Sequence, residues 1–461
     1  MRQPTTDDLA LAIVARYLAK RGFGDARAAL VAEAGQIGDH AGPDLDWLVS
    51  SWQASEHANA LARAALVDDS TALNVRCTVK LPSAVTTTLS TIHAGNILVV
   101  LPYTLHRRRF DTSIADYRDE AIDCVLTAAT DRQLKLTNLA THEVEEIFEP
   151  VSSPSIAIAV DPASRQFIYS AAMSGEIAVT DVSERTTVCK LKPHLKHVVA
   201  LAVSASGRFV ASASADGTVV VYTRSAPGQI APAVTIRSSS PPSALVFLPD
   251  ESQLIVSRRL SCHLHAYDLP KLGEAMPDEL NLTRYNLNAN EDSHVSFSPV
   301  ALSIHPLGRH LALQTDTTLA RVMLVPLPLR PASVAAPLVL YTLAEQGDYS
   351  TPRHAWLPDG SAVVVSSDDG VVRVVDLDGK VRAAIPAHGA AAPVDAETAA
   401  RELRELAAAA DGALRPGSVQ LLKARREAMV GSSVVRDVCV LKDATIVSVG
   451  FDRTIRIASA P

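Results

Sequence analysis

The sequence has 461 residues, of which 48% are apolar and 20% charged, with a formal net charge of −7. This length exceeds one ordinary compact domain unless the domain is made of repeats, and the apolar share suffices for a large core. The acidic balance, without a basic stripe, argues against nucleic acid as the primary ligand, and no stretch approaches the roughly 18 apolar residues of a membrane-spanning helix.

The N-terminus, MRQPTTDDLALAIV, carries charges where a signal peptide needs an apolar run. Five cysteines (Cys77, Cys124, Cys189, Cys262, Cys439) are scattered without a CxxC pair. An odd number excludes full pairing, so reduced thiols in a soluble intracellular protein, cytoplasmic or nuclear, are expected.

In chain order, Thr6 or Asp7 can cap a helix over about Asp8 to Lys20, which Gly22 is placed to stop. A second helix starts near Asp25 and runs to about Ala34. A third spans about Asp44 to Leu66, with Leu45, Leu48, Val49 and Trp52 on one face. Within the first two, Tyr17-Leu18-x-x-x-Gly22-Phe23, preceded by Val14 and followed by Ala26, Leu30 and Glu33, resembles the LisH motif. In that family two short helices dimerise as a small bundle, so the resemblance implies a homodimer built on these eight residues. The physics agrees, because two helices this short cannot bury both apolar faces alone. The alternative is a helical hairpin packed on its own chain. Residues 44–66 fall short of the CTLH segment that follows in many LisH proteins.

Beyond residue 70 the chain repeats itself at about 40 residues. The clearest unit, HLKHVVALAVSASGRFVASASADGTVVVY (His194 to Tyr222), reads as three strands. VVALAV is wholly apolar, as in a strand buried on both sides; FVASAS and TVVVY follow the turns SASGR and ADG. This spacing resembles a WD40 repeat, with Tyr222 where most such repeats carry Trp. The resemblance implies a buried hydrogen-bonded set of His194, Asp216, Tyr222 and either Ser212 or Ser214. Six further units match more loosely, and none of the three tryptophans (Trp47, Trp52, Trp356) occupies the third-strand position.

Seven units of four strands close into a β-propeller. The expected architecture is therefore mainly β: a seven-bladed WD40-like propeller over 71–461 with a small all-α LisH-like module over 1–70. The last unit reaches Pro461 straight after its third strand. NVRCTVKL, residues 74–81, is expected to supply the missing outer strand and cover an open edge. Eight blades stay open if residues 82–115 form a unit of their own.

The one long insertion, 389–432, separates the sixth and seventh units. Glu397–Ala410 and Ser418–Met429 read as helices, the first with an apolar stripe including Leu403 and Leu406, the second basic with Arg425 and Arg426. These four are candidates for a partner face, against a hairpin lying on the propeller or a solvated excursion. Pro270–Ser298 and Pro326–Pro337 are further extended connections, the first acidic at Asn288–Asp292.

Little suggests chemistry. Cys262, His263 and His265 look like a metal cluster, but on a strand Cys262 points away from the two histidines and no further ligand pair accompanies them. His197 reads as a surface residue, and Arg107-Arg108-Arg109 as a solvated loop, a nuclear signal or a phosphate contact. No phosphate loop, nucleophile elbow or HExxH is present. The sequence thus predicts no catalytic residue, cofactor or metal, and a scaffold whose partners are proteins rather than nucleic acid or membrane. LisH–WD40 resemblance implies adaptor roles in ubiquitin-ligase, corepressor or microtubule-associated complexes. The alternatives are a propeller hydrolase with a central-channel site and a monomeric propeller with a helical cap.

Overall fold

The computed structural model describes residues 6–34, 45, 76–111, 116–288, 294–295, 297–317, 319–330, 336–347, 350–389 and 434–460. The chain divides into two compact units, residues 1–69 and 70–461.

The first unit contains helices Thr6–Lys20 and Gly24–Ala34. Gly22, at φ 80°, ends the first. The Phe23 N–H reaches the Leu18 carbonyl at 2.9 Å and the Gly22 N–H reaches that of Ala19 at 3.2 Å. This is a Schellman cap, which satisfies carbonyls that a helix end otherwise leaves bare and needs a residue tolerant of positive φ. Ala12 and Ala15 are buried on the first helix. On the second, no described side chain is buried. Apart from residue 45, the expected third helix lies outside the described residues.

The second unit holds seven four-stranded antiparallel sheets, and within six of them the strands follow in chain order. The six occupy residues 97–148, 155–191, 198–237, 242–286, 299–345 and 354–386. First strands of successive sheets lie side by side, as Val198–Val203 does beside Ser155–Val160 and Pro242–Phe247. The result is a seven-bladed propeller. Of residues 82–115, the described 82–111 form no eighth blade; they are shared between the seventh and the first.

The core lies between blades. Phe167, Tyr169, Val210 and Tyr222 pack the second blade onto the third, and Phe209, Phe247, Leu254 and Tyr267 the third onto the fourth. It is the second strand of a blade, such as Phe209–Ser214, that is buried on both faces. The wholly apolar Val198–Val203 is only partly buried, because one of its faces lines the central channel. Where the second blade meets the third, Asp161 accepts from Ser164, the Ala163 N–H and Arg224, whose guanidinium also donates to Tyr169 at 2.9 Å.

The seventh blade closes the ring. Its strands Val435–Val440, Ile446–Gly450 and Ile455–Ala458 are completed by Thr87–Leu89, paired as Thr87↔Ile457, Thr88↔Arg456 and Leu89↔Ile455. Both the N–H and the hydroxyl of Thr86 donate to the Ile457 carbonyl. Residues 74–81 were the expected partner; 76–81 form no strand, and 74–75 lie outside the described residues. Cys77, Val79 and Leu81 do alternate inward, but onto the core between the sixth and seventh blades. Period-two patterning marks one-sided burial, which needs no ladder.

In six blades the first strand pairs irregularly at its start, with a register shift at Ile97/Val99, Ser155/Ala157, Val198/Ala200, Pro242/Ala244, Pro299/Ala301 and Val435/Asp437. Each is a β-bulge, one extra residue on one strand, which re-aims the side chain it carries.

Candidate functional site

The third blade carries a buried polar relay. His194 lies in the connection entering the blade, and its Nε2 is 2.7 Å from Ser212 Oγ on the second strand. Its Nδ1 is 2.9 Å from Thr218 Oγ1 on the third strand, and Ser212 Oγ is 3.0 Å from the Tyr222 hydroxyl. Thr218 also donates to Asp216. That donation fixes the protons: Thr218 must accept from His194 Nδ1–H, so Nε2 accepts from Ser212, which accepts from Tyr222. Burial opposes the Asp216 charge, but hydrogen bonds from Thr218 and the Leu195 backbone hold its carboxyl below the usual range. Burial pushes the His194 imidazole down and the Tyr222 phenol up, so both stay neutral. Ser214 stands outside the relay and donates to the carbonyls of Lys196 and His197.

Two more relays exist that the local spacing hid. In the first blade His93 contacts Asp131 and Thr127, each at 2.8 Å. In the seventh His388 contacts Asp452 at 2.9 Å and Ser448 at 3.0 Å. His and Asp stand 38 residues apart in one and 64 in the other, because a long hairpin and the insertion intervene. Thr137 and Ala458 occupy the place of Tyr222, so neither relay reaches a third-strand hydroxyl donor; Thr137 Oγ1 has no partner. Replacing Tyr222 by Phe should therefore cost only about 1 kcal/mol in urea denaturation. Ser212→Ala, which orphans both His194 and Tyr222, should cost about 2–4 kcal/mol. Equal losses from the two would contradict this proton order.

The face bearing these histidines opens on the central channel. A cavity of about 540 Å³ at the mouth is lined by Pro241, Leu260 and Val300 on one hand and by Arg353 and Arg436 on the other. Deeper, a space of about 390 Å³ is lined mostly by apolar residues, Val199, Leu201 and Leu245 among them, with Arg353, His354 and Asp437 between. Its acid and its imidazole are engaged. Asp437 accepts from the Val100 and Val438 N–H groups, each at 3.0 Å, and His354 sits 2.7 Å from Ser303 Oγ and 3.2 Å from Gln314 Oε1.

Comparison with known protein families matches residues 185–223 to the WD domain, G-beta repeat. The match runs from the strand before the third blade through its first three strands to the end of its relay. The second unit is a seven-bladed β-propeller of WD40 type. No curated protein matches the chain.

The WD40-type propeller places the remaining candidates plainly. Arg107–Arg109 lie not in a loop but on the strand Ile97–Asp111, where Arg107 pairs with Glu120 at 3.3 Å and Glu145 at 2.9 Å. Cys262 does not point away from His263: its sulfur lies 3.6 Å from His263 Nδ1. Even so, among the described residues no group of three or more side chains is arranged to hold a metal ion. His197 is exposed at the mouth. In the helical unit Val14, Gly22, Phe23, Ala26 and Glu33 are exposed, while Tyr17, Leu18 and Leu30 are half-buried. Leu403, Leu406, Arg425 and Arg426 lie outside the described residues. No helix among the described residues is long and apolar enough to cross a membrane.

Proposed function

We propose that the protein is a non-catalytic interaction scaffold in which the LisH-like helical unit pairs two copies and each propeller binds partner proteins. The observation that carries the pairing is unspent apolar surface: Phe23 is 55% exposed, Val31 39% and Val14 38%, on helices too short to be stable without tertiary packing. Two propellers on one dimer raise the effective concentration for a bivalent partner. The non-catalytic reading draws on the channel, whose walls are mostly apolar and whose Asp437 and His354 are spent on internal hydrogen bonds. A hydrolase would need several carboxylates or histidines converging there with free lone pairs.

Light scattering tests the dimer. The full chain should run at twice its mass of 48.9 kDa, and a chain beginning at Ser70 should be a folded monomer. Phe23→Asp in the full chain should also give monomers. A monomeric full chain would leave the helices as a cap and the propeller as a single binding platform.

A further inference from the structure

Two guanidinium groups meet at the channel mouth with almost nothing to bind. Ile156, Val199, Ser243 and Val300 are the bulged residues of four blades and line the mouth; the seventh blade puts Arg436 at the same place. Arg353, just ahead of the sixth blade's first strand, stands beside it. Each guanidinium has five N–H donors. Arg436 spends one, on the Thr351 carbonyl at 3.1 Å. The Arg353 guanidinium has no hydrogen-bond or ion-pair partner among the described residues, and Arg436 likewise forms no ion pair there. Burial, with repulsion from Arg353 behind it, pushes the Arg436 guanidinium down to about 10. Carboxylates do lie nearby, but they are turned to other donors. Asp437 takes two backbone N–H groups, Asp316 takes that of Ser298 at 2.7 Å, and Asp368 takes Gly347 N–H and Ser350.

We propose that Arg353 and Arg436 seat a phosphate monoester carried on an extended segment of a partner protein. A phosphorylated serine brings a charge of about −1.5 to −2 and three acceptor oxygens, which suits two adjacent planar forks better than a single carboxylate does. The opposite wall explains why the phosphate comes on a peptide. Leu260 is 80% exposed and held at φ 55° in the turn leaving the second strand of the fourth blade, next to Pro241 and Val300. An apolar side chain flanking the phosphoserine covers that wall; a free phosphate compound leaves it bare. The inference rests on the propeller being a protein-binding platform and adds the chemistry of what it binds.

The test uses the full chain against nine-residue peptide arrays, randomised around a central phosphoserine, with a matching serine array and inositol hexakisphosphate as a free-phosphate probe. The phosphoserine array should be preferred by at least about tenfold, with aliphatic residues enriched beside the phosphoserine. Arg353→Gln should lower that binding by about tenfold or more; because the Arg353 charge also favours the ionised form of the buried Asp437, the melting temperature is read alongside to separate lost binding from lost stability. Arg353→Lys, which keeps the charge without the fork, should fall between and serves if the Gln variant misfolds. Equal binding to both arrays would remove the phosphate and leave the protein-binding platform standing. No binding to either array, binding of inositol hexakisphosphate alone, or undiminished phosphopeptide binding by Arg353→Gln would each overturn the assignment.

Discussion

A chain beginning at Thr91 is expected to lose about 5 kcal/mol relative to one beginning at Ser70. It forfeits the Thr87–Leu89 ladder on the last strand and the Thr86 hydrogen bonds to Ile457. It also uncovers the core under Cys77, Val79, Leu81 and Val85, and the seam between the seventh and first blades under Leu89. Partial burial of five such side chains is worth about 1 kcal/mol each. That is a third or more of the stability of an ordinary domain. The exposed edge of Ile455–Ala458 would also be free to pair between molecules, so aggregation should accompany the loss. Trp356, the only tryptophan left in both chains, reports the urea transition from inside the sixth blade, where its indole N–H donates to Ser303 at 3.0 Å. Identical midpoints for the two chains would mean that the N-terminal strand does not hold the ring.

Acidification should destabilise the propeller well before its carboxylates titrate. Burial, then the charges of Arg258, Arg284 and His263, push the His265 imidazole down to about 4; burial and Arg353 do the same to His354. In the unfolded chain both titrate near 6.5. Between those values the unfolded state binds more protons than the native one, so stability is full above about pH 6.5 and falls as the pH drops towards 4. At pH 5 the loss is about 2 kcal/mol for each histidine. His194 and His305, both lowered by burial, add in the same direction. Asp437, raised by burial, acts against it. Asp131, Asp161, Asp216 and Asp452 are held below their ordinary value and contribute only under about pH 4. Urea denaturation at pH 7.5 and pH 5.0 measures the drop. His354→Gln should shrink it by about 2 kcal/mol, and a flat profile would contradict neutral buried imidazoles.

What could be read from the amino acids alone was whatever is encoded over short spans. Gly207 and Gly217 mark turns by their freedom at positive φ, and around them three strands and most of the third-blade relay follow at fixed spacing. Gly22 stops the first helix for the same reason. Thr218 was missed because a threonine after a turn Asp-Gly has no pattern that separates it from ordinary strand residues; its role depends on standing between Asp216 and His194 in space. The strand through Arg107 was misread since a basic run suggests solvent, while its partners Glu120 and Glu145 come from two other strands. Closure eluded the pattern because residues 76–81 alternate as a strand does without pairing as one. Arg353 and Arg436 lie on different blades, and nothing local connects them.

The bulges that open the first strands have one more consequence. An extra residue on one side of a ladder belongs to neither of the faces that alternate along it, so its side chain is re-aimed out of the alternation, here towards the channel mouth. Ser243 is tied down, since it donates to the Pro299 carbonyl of the next blade, and Val300 is buried; size, charge and shape are freest at the half-buried positions 156, 199 and 436. The rim of the channel is in effect a keyboard set on a fixed frame. Three keys, changed singly, would retune what the mouth accepts while the ring that holds them goes on folding as before.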